Sequence, residues 1–370
     1  MASNGALRLA GVIAISVFTA CAEAEDRSAD GLWELRTDAL APRGENDWIR
    51  PARFQGAALD LESLSLFLRS APLEDVGDAR DFAVEISLPT PDGVFNRFLV
   101  AESSVMEPQL AAELPDVRTY SGQGIDDPAA TLRMDITPQG LHAQVLSPMG
   151  DFWIDPISRG DTTHYASYHR SEFGPLSDWV CGVERASALM KTSRAGTANR
   201  SATVTRRDYR LCVAATGEYT AFHGGTVELA QAAIVTAVNR VDGVFERECA
   251  IRLILIAGNQ SVVFTDSATD PYFNSDPGAM LAQNQATLDS VIGAANYDIG
   301  HVFTTGEEGT AGIGVVCGSH KAWGASASPS PKGDPFWIDR VAHEIGHQFG
   351  AHHSFNGVLG ECGAARDLLS

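Results

Sequence analysis

Near its C-terminus the chain reads His343-Glu344-Ile345-Gly346-His347-Gln348-Phe349-Gly350-Ala351-His352-His353. On a helix, residues four apart project from one face about a turn apart, so His343 and His347 can reach a single metal ion. Glu344 lies beside the first of them on nearly the same side, placed to handle a proton without serving as a ligand. Gly350 stands three residues after His347, where a glycine in the left-handed conformation ends a helix. A sharp turn there brings His353 back to the same metal. His352 is out of register and is expected to face solvent.

The bare spacing H-E-x-x-H arises by accident in on the order of one in a hundred chains of this length. Requiring the glycine and the third histidine lowers that to roughly one in tens of thousands, which sets aside an incidental surface helix. The helix is also legible by itself. Asp334-Pro335 reads as an N-cap followed by proline at the first helical position, and Ile338, Val341, Ala342, Ile345 and Phe349 recur at helical spacing on a face distinct from the histidines.

Forty-seven acidic against 27 basic residues leave a formal charge of -20. Nucleic acid and anionic membranes both demand a basic patch, and no stretch supplies one, so neither is expected as a partner. At 370 residues and 44% hydrophobic, the chain has the length for two ordinary domains. At the N-terminus Arg8 precedes an apolar run over residues 9–20, too short to span a bilayer and placed where a signal peptide belongs. Ala22-Glu23-Ala24 offers a small-x-small cleavage site, so residues 1–24 are expected to be removed and the protein secreted from a bacterial cell. The alternative is lipoprotein processing at Phe18-Thr19-Ala20-Cys21, which would anchor the chain through Cys21. No other stretch is expected to cross a membrane.

From about residue 31 to 173 short apolar runs alternate with turn signals. Residues 82–88, 97–100, 130–136, 140–146 and 151–154 read as strands, with Pro91-Asp92-Gly93 and Thr137-Pro138-Gln139-Gly140 as hairpin-like turns. A brief helix is expected around residues 61–68. His142, His164 and His169 lack ligand spacing and read as structural. Residues 185–207 are rich in Ser, Thr, Ala and Arg, without periodicity, and end in Arg206-Arg207, as a protease-accessible linker would.

Beyond the linker strands alternate with helices. Residues 209–215, 251–256, 261–265 and 299–303 read as strands. Thr226 caps a helix running to about Glu246 with Val227, Ala230, Ile234, Ala237, Val241 and Phe245 on one buried face, and Asp276-Pro277 opens another carrying Met280, Leu281, Leu288 and Ile292. This alternation predicts an α/β domain on a mixed, twisted sheet. With the leader removed, Cys181, Cys212, Cys249, Cys317 and Cys362 remain, an odd number in an oxidising compartment. Cys212 with Cys249, and Cys317 with Cys362, are the expected disulfides among the three pairings that four cysteines permit.

The pattern H-E-x-x-H-x-x-G-x-x-H is the zinc signature of the metzincin metallopeptidases. With the order of strands and helices over about residues 207–362, it resembles the catalytic domain of the reprolysin-like (ADAM/adamalysin-related) metzincins, their bacterial secreted branch in particular. The resemblance implies His343, His347 and His353 as ligands of zinc (Zn2+), Glu344 as the general base that activates water, and polypeptides as substrates. Residues 309–317 resemble the strand bordering that family's cleft, so that Gly312, Ile313, Gly314 and Val315 would accept an extended peptide. Cys181-Gly182-Val183 resembles the cysteine switch of matrix metalloproteinase and ADAM prodomains, where a thiolate holds the fourth position on zinc until the prodomain is cut away. A disulfide cysteine before a turn is the alternative.

The expected plan is a leader over 1–24, a mainly β prodomain over 25–184, a linker over 185–207 and a metzincin-like catalytic domain over 208–370. One departure stands out. Metzincins carry a methionine-containing turn after the third histidine, whereas here the last methionine is Met280 and seventeen residues follow His353. The chain therefore reads as truncated before that turn, and a catalytically impaired binding or adhesion protein on the same scaffold is the alternative function.

Overall fold

Alternation of apolar and polar residues shapes the first half into one antiparallel sheet. The structure, a computed structural model, describes residues 26–36, 47–74, 83–172, 181–182 and 205–353. The leader with Cys21, the linker as far as residue 204, and Cys362 lie outside them. Nine strands, β1 (Trp33–Arg36), β2 (Gln55–Leu59), β3 (Val84–Pro89), β4 (Phe95–Glu102), β5 (Arg118–Gly124), β6 (Thr131–Thr137), β7 (Gly140–Leu146), β8 (Phe152–Pro156) and β9 (His164–His169), pair in the order 1-2-9-8-7-6-5-4-3. The sheet curls until its edge strands β1 and β3 touch, with the Ser87 amide donating to Asp30 at 2.9 Å. Its inner face and helix α1 (Leu61–Leu68) enclose one core that includes Leu64, Phe98, Met134 and Tyr165. Strands β1, β2, β5 and β9 were not foreseen. Stretches such as Gln55-Gly-Ala-Ala-Leu59 and Arg118-Thr-Tyr-Ser-Gly-Gln-Gly124 are too rich in Gly, Ala and polar residues to announce a strand.

The second half builds a three-layer α/β unit. Strands β10 (Arg207–Ala215), β11 (Ile251–Leu255), β12 (Ile299–Thr304), β13 (Thr310–Ala311) and β14 (Gly324–Ala327) form a mixed sheet in the order 11-10-12-14-13. All neighbours run parallel except β13, which lies antiparallel at the edge. A short helix α2 (Pro108–Glu113) sits between β4 and β5 of the first half; in the second, α3 (Gly217–Phe222) is short, α4 (Val227–Cys249) covers one face of the sheet and α5 (Pro277–Val291) the other. The caps fall where expected: Thr226 accepts the Leu229 amide, and Asp276 accepts the Ala279 amide ahead of Pro277. No helix among the described residues is long and apolar enough to cross a membrane.

Two expectations fail here. Residues 261–265 are not a strand: the chain makes a 3-10 turn over Asn259–Val262, and the Asn259 side chain pairs with both main-chain groups of Val213 (2.7 and 3.0 Å) where β11 has ended. Cys212 and Cys249 form no disulfide. Strand residues alternate faces, so Cys212 points into the layer under α5, while its neighbours Leu211 and Val213 meet α4, which ends in Cys249. The pair lies on opposite sides of the sheet.

Helix α4 is buried almost all round rather than on one face. Gln231, Thr236, Asn239, Arg240 and Asp242 are at most 1% exposed: Gln231 and Asp242 accept from Asn259 and the Leu253 amide in the second half, and the N-terminal sheet covers Thr236, Asn239 and Arg240. Asp135 on β6 accepts from Thr236 (2.8 Å) and Asn239 (3.4 Å). Gly243 lets the helix settle there, since a Cβ would stand 2.3 Å from the Gln144 amide oxygen. The two halves also share apolar core: Val105, Met106, Leu110, Leu114 and Val117 belong to one cluster with α4, β10 and β11. The Val105 carbonyl takes the Leu255 amide and the Leu255 carbonyl takes the Glu107 amide (both 2.8 Å), so a first-half segment closes the β11 edge.

Arg240 ties this junction together. Its guanidinium donates to Asp155 on β8 at 2.5 Å and to Asp334 at 2.7 Å, with all three side chains at most 5% exposed. Burial pushes both carboxyls up, Asp334 to about 7, against the pull of Arg240. Removing one partner from such a group strands the remaining charges in a poor solvent. Arg240→Ala is therefore expected to cost about 3–5 kcal/mol in denaturant unfolding; a loss below ~1 kcal/mol would mean that the triad is solvated and weak.

Candidate active site

The helical segment carrying the histidines does not begin as expected. Lys332 occupies the cap position of α6 (Gly333–Phe336), and Asp334, read as the cap, turns inward to Arg240. A π-helical stretch over Trp337–Ala342 then leads into α7 (His343–Gln348). The wide turn takes up an extra residue and shifts the register. Trp337, not foreseen as core, is buried edge-on to His142 (5.8 Å between centroids) beneath Arg240, while Ile338 is left partly exposed. Val341, Ala342 and Ile345 are buried as the spacing predicted.

After α7 the chain reverses at Gly350, whose φ of +103° suits glycine alone. The Gly350 amide donates to His347 and the Ala351 amide to Gly346 (2.8 and 2.9 Å), and the turn brings His353 back over the helix. The Nε2 atoms of His343, His347 and His353 stand 2.9, 3.1 and 3.1 Å from one another. His347 donates its Nδ1 proton to the Ala351 carbonyl at 2.7 Å, so its Nε2 presents a lone pair. Burial lowers His343 to about 4 and lowers His347, holding both neutral.

Neutral nitrogens at that spacing match the donors of a four-coordinate ion, whose tetrahedral ligands at about 2.0–2.1 Å lie ~3.3 Å apart. The donor set therefore fits a metal. His352 is exposed and takes no part.

Glu344 lies beside the cluster and is fully buried. Among the described residues, neither of its oxygens has a nitrogen or hydroxyl donor within reach. Burial pushes its carboxyl up to about 8, with the Cys181 thiol acting against that shift. A buried carboxylate so poorly served is costly to keep and points to use in the site. Gly309, next to β13, makes room for it, since a Cβ there would stand 2.7 Å from Glu344 Oε1. Across the cluster, Cys181 Sγ lies 3.6 Å from His347 Nε2, and its sulfur and the three imidazoles offer ligand atoms within 4.8 Å of one another. Gly182 donates its amide to the Gly309 carbonyl at 2.8 Å, so Cys181-Gly182 lies parallel to the edge of the sheet at Gly309.

The edge itself is shorter than expected. Gly312, Ile313, Gly314 and Val315 are not a strand: β13 comprises only Thr310–Ala311, Gly312 makes one more bond across to the Trp323 carbonyl (2.8 Å), and Gly314 and Val315 then turn away to hang from the end of the helix. The Gly314 amide donates to His347 at 3.0 Å and the Val315 amide to Gln348 at 2.9 Å. Main-chain groups at the helix end took those amides out of strand register. Sequence reading also passed over Gly309 and His301. The second left a trace, a histidine inside the apolar run Ile299-Gly-His-Val-Phe303, where a buried polar group must have partners.

Residues 205–366 match the profile of the family described as Metallo-peptidase family M12B Reprolysin-like. Comparison with curated protein sequences returned no match. Among solved structures, the chain is similar to metalloproteinase-II from Bacteroides fragilis, with 14% identity, a TM-score of 0.39, and coverage of 77% of this chain and 87% of the other.

The turn at Gly350 yields a direct check on the ligand set. A Cβ at φ +103° is strained by about 1–3 kcal/mol, and part of that falls on the metal-bound arrangement. Gly350→Ala should weaken metal binding about tenfold in competition with a fluorescent chelator, whereas His352→Ala should leave it unchanged. The reverse result would put His352, not His353, on the metal.

Proposed function

We propose that this chain, whose residues 205–366 belong to the reprolysin-like M12B metallopeptidases, is a zinc-dependent endopeptidase that Cys181 holds latent. The observation that carries the reading is the meeting of three imidazole nitrogens 2.9–3.1 Å apart beside a buried carboxylate. His343, His347 and His353 would hold the ion. Zinc in that position supplies a Lewis acid for the scissile carbonyl and makes a nearby water more acidic. With a cation beside it favouring the ionised form, Glu344 would take the proton from the attacking water on a carboxylate oxygen and pass it to the leaving nitrogen. A site with only a structural metal has no use for a buried glutamate against its ligands.

A polypeptide substrate would lie along the edge at Gly309 and β13, where main-chain groups pair with an extended peptide largely without regard to its side chains. In this chain Cys181-Gly182 occupies that edge. The Cys181 sulfur, a soft donor next to three imidazoles, would complete a four-ligand set around a bound ion and keep the catalytic water out. Latency and substrate binding thus compete for one place. Cleavage in the segment ahead of β10, where Arg206 and Arg207 are exposed, would loosen the tether on Cys181. Export through the leader at residues 1–24 belongs to the same proposal.

In the full chain, one zinc per molecule is expected, with chelator-sensitive cleavage of casein after mercurial treatment or limited proteolysis. Glu344→Gln should keep the zinc and lower turnover about 100- to 10,000-fold; cleavage at the wild-type rate by the metal-replete variant would remove Glu344 as the base. Cys181→Ser should be active without treatment, and equal latency in that variant would show that the thiol is not the block.

A further inference from the structure

The metal-facing end of α7 is gripped from behind by a fully hydrogen-bonded buried network. Gln348 follows the ligand His347 and points the opposite way, into the sheet. Its amide nitrogen donates to the carbonyls of Gly300 (2.8 Å) and Lys321 (3.3 Å), which leaves its oxygen facing His301 Nδ1 at 2.8 Å. The orientation of the amide is therefore settled by two acceptors, and His301 must carry its proton on Nδ1. His301 Nε2 is then left to accept from Ser326 on β14 at 2.8 Å. Both His301 and Gln348 are 0% exposed, and burial keeps the imidazole neutral. Gly324 opens the slot: a Cβ there would stand 2.4 Å from both Gln348 Oε1 and His301 Nδ1.

We propose that His301 and Gln348 are positioning residues for the metal centre, locking the last turn of α7 to β12 and β14 so that His347 is aimed at the other two ligands. The inference rests on the zinc-site reading above. The network satisfies every polar atom it contains, in contrast with Glu344, which marks it as a rigid support, not a reacting group. It also fixes the turn from which Gly314 and Val315 hang, since their amides bind the His347 and Gln348 carbonyls. His347 is one residue from the clamp, and its Nε2 has neighbours at 2.9 and 3.1 Å. A small slide of the helix end along the sheet would spoil that convergence.

The test measures metal, not turnover. Zinc dissociation constants of the full chain are obtained by chelator competition, and cobalt-substituted protein is compared by its visible absorption, alongside the melting temperature of the metal-free form. Gln348→Met and His301→Leu, which keep bulk but remove hydrogen bonds, should bind zinc about 10- to 100-fold more weakly and alter the cobalt spectrum. His301→Asn, which keeps a donor near the Nδ1 position, should recover most of that affinity. Ser326→Ala, the mildest change, should weaken zinc binding several-fold and keeps the test open if the larger replacements do not fold.

Folded variants with lowered melting temperature but wild-type zinc affinity and cobalt spectrum would show that the network only stabilises the fold, overturning the inference while leaving the metal centre intact. A wild-type chain without stoichiometric zinc would remove the metal centre and the inference together.

Discussion

Three imidazole Nε2 atoms crowd to 2.9–3.1 Å of one another, an approach that a cation between them would relieve, and the surrounding structure serves to hold them there. The helix supplies two of the rings by its period, and a left-handed glycine returns the third. Behind them the polar clamp of Gln348 and His301 ties the helix end to the sheet, and the Ala351 carbonyl selects the tautomer of His347. Holding such an arrangement together costs free energy that contacts elsewhere in the fold must supply.

Those contacts come in large part from the first half of the chain. Arg240 reaches from α4 to the N-terminal sheet and to the root of the histidine helix, and Trp337 packs between His142 and that same guanidinium. At one edge of the second sheet Met106 bridges to Leu255, and at the other Cys181 bridges to Gly309. The N-terminal sheet is accordingly more than a separate unit on a tether. The segment between β4 and β5 shares apolar core with α4, and Asp155 on β8 binds the arginine that also holds the root of the histidine helix, so the docking of the first half and the geometry of the histidines are mechanically linked.

Much of the candidate site could be read before any fold was known, because the 3.6-residue period alone places His343, Glu344 and His347 together and Gly350 announces the turn to His353. Helix caps at Thr226 and Asp276 were equally plain, since a capping oxygen acts within three residues of itself. Asp334 shows where local logic ends: it has the sequence setting of a cap, yet a buried arginine 94 residues earlier claims its carboxylate. The strand assigned to Gly312, Ile313, Gly314 and Val315 failed for a related reason, since main-chain acceptors at the helix end outbid an edge partner. The expected pairing of Cys212 with Cys249 ignored which face of a strand each neighbour meets.

By itself, then, the amino-acid order determined what short-range periodicity encodes: which histidines and which glutamate share one side of a helix turn, the alternation of strands and helices, and a first half made of strands. Tertiary structure decided which carboxylates partner Arg240, that part of the polar side of α4 is covered by a second sheet, that Cys181 arrives beside His347, and that His301 sits under the histidine-bearing turn. Each of these joins residues far apart in the chain through burial and hydrogen bonding, and none leaves a spacing to be read in one dimension.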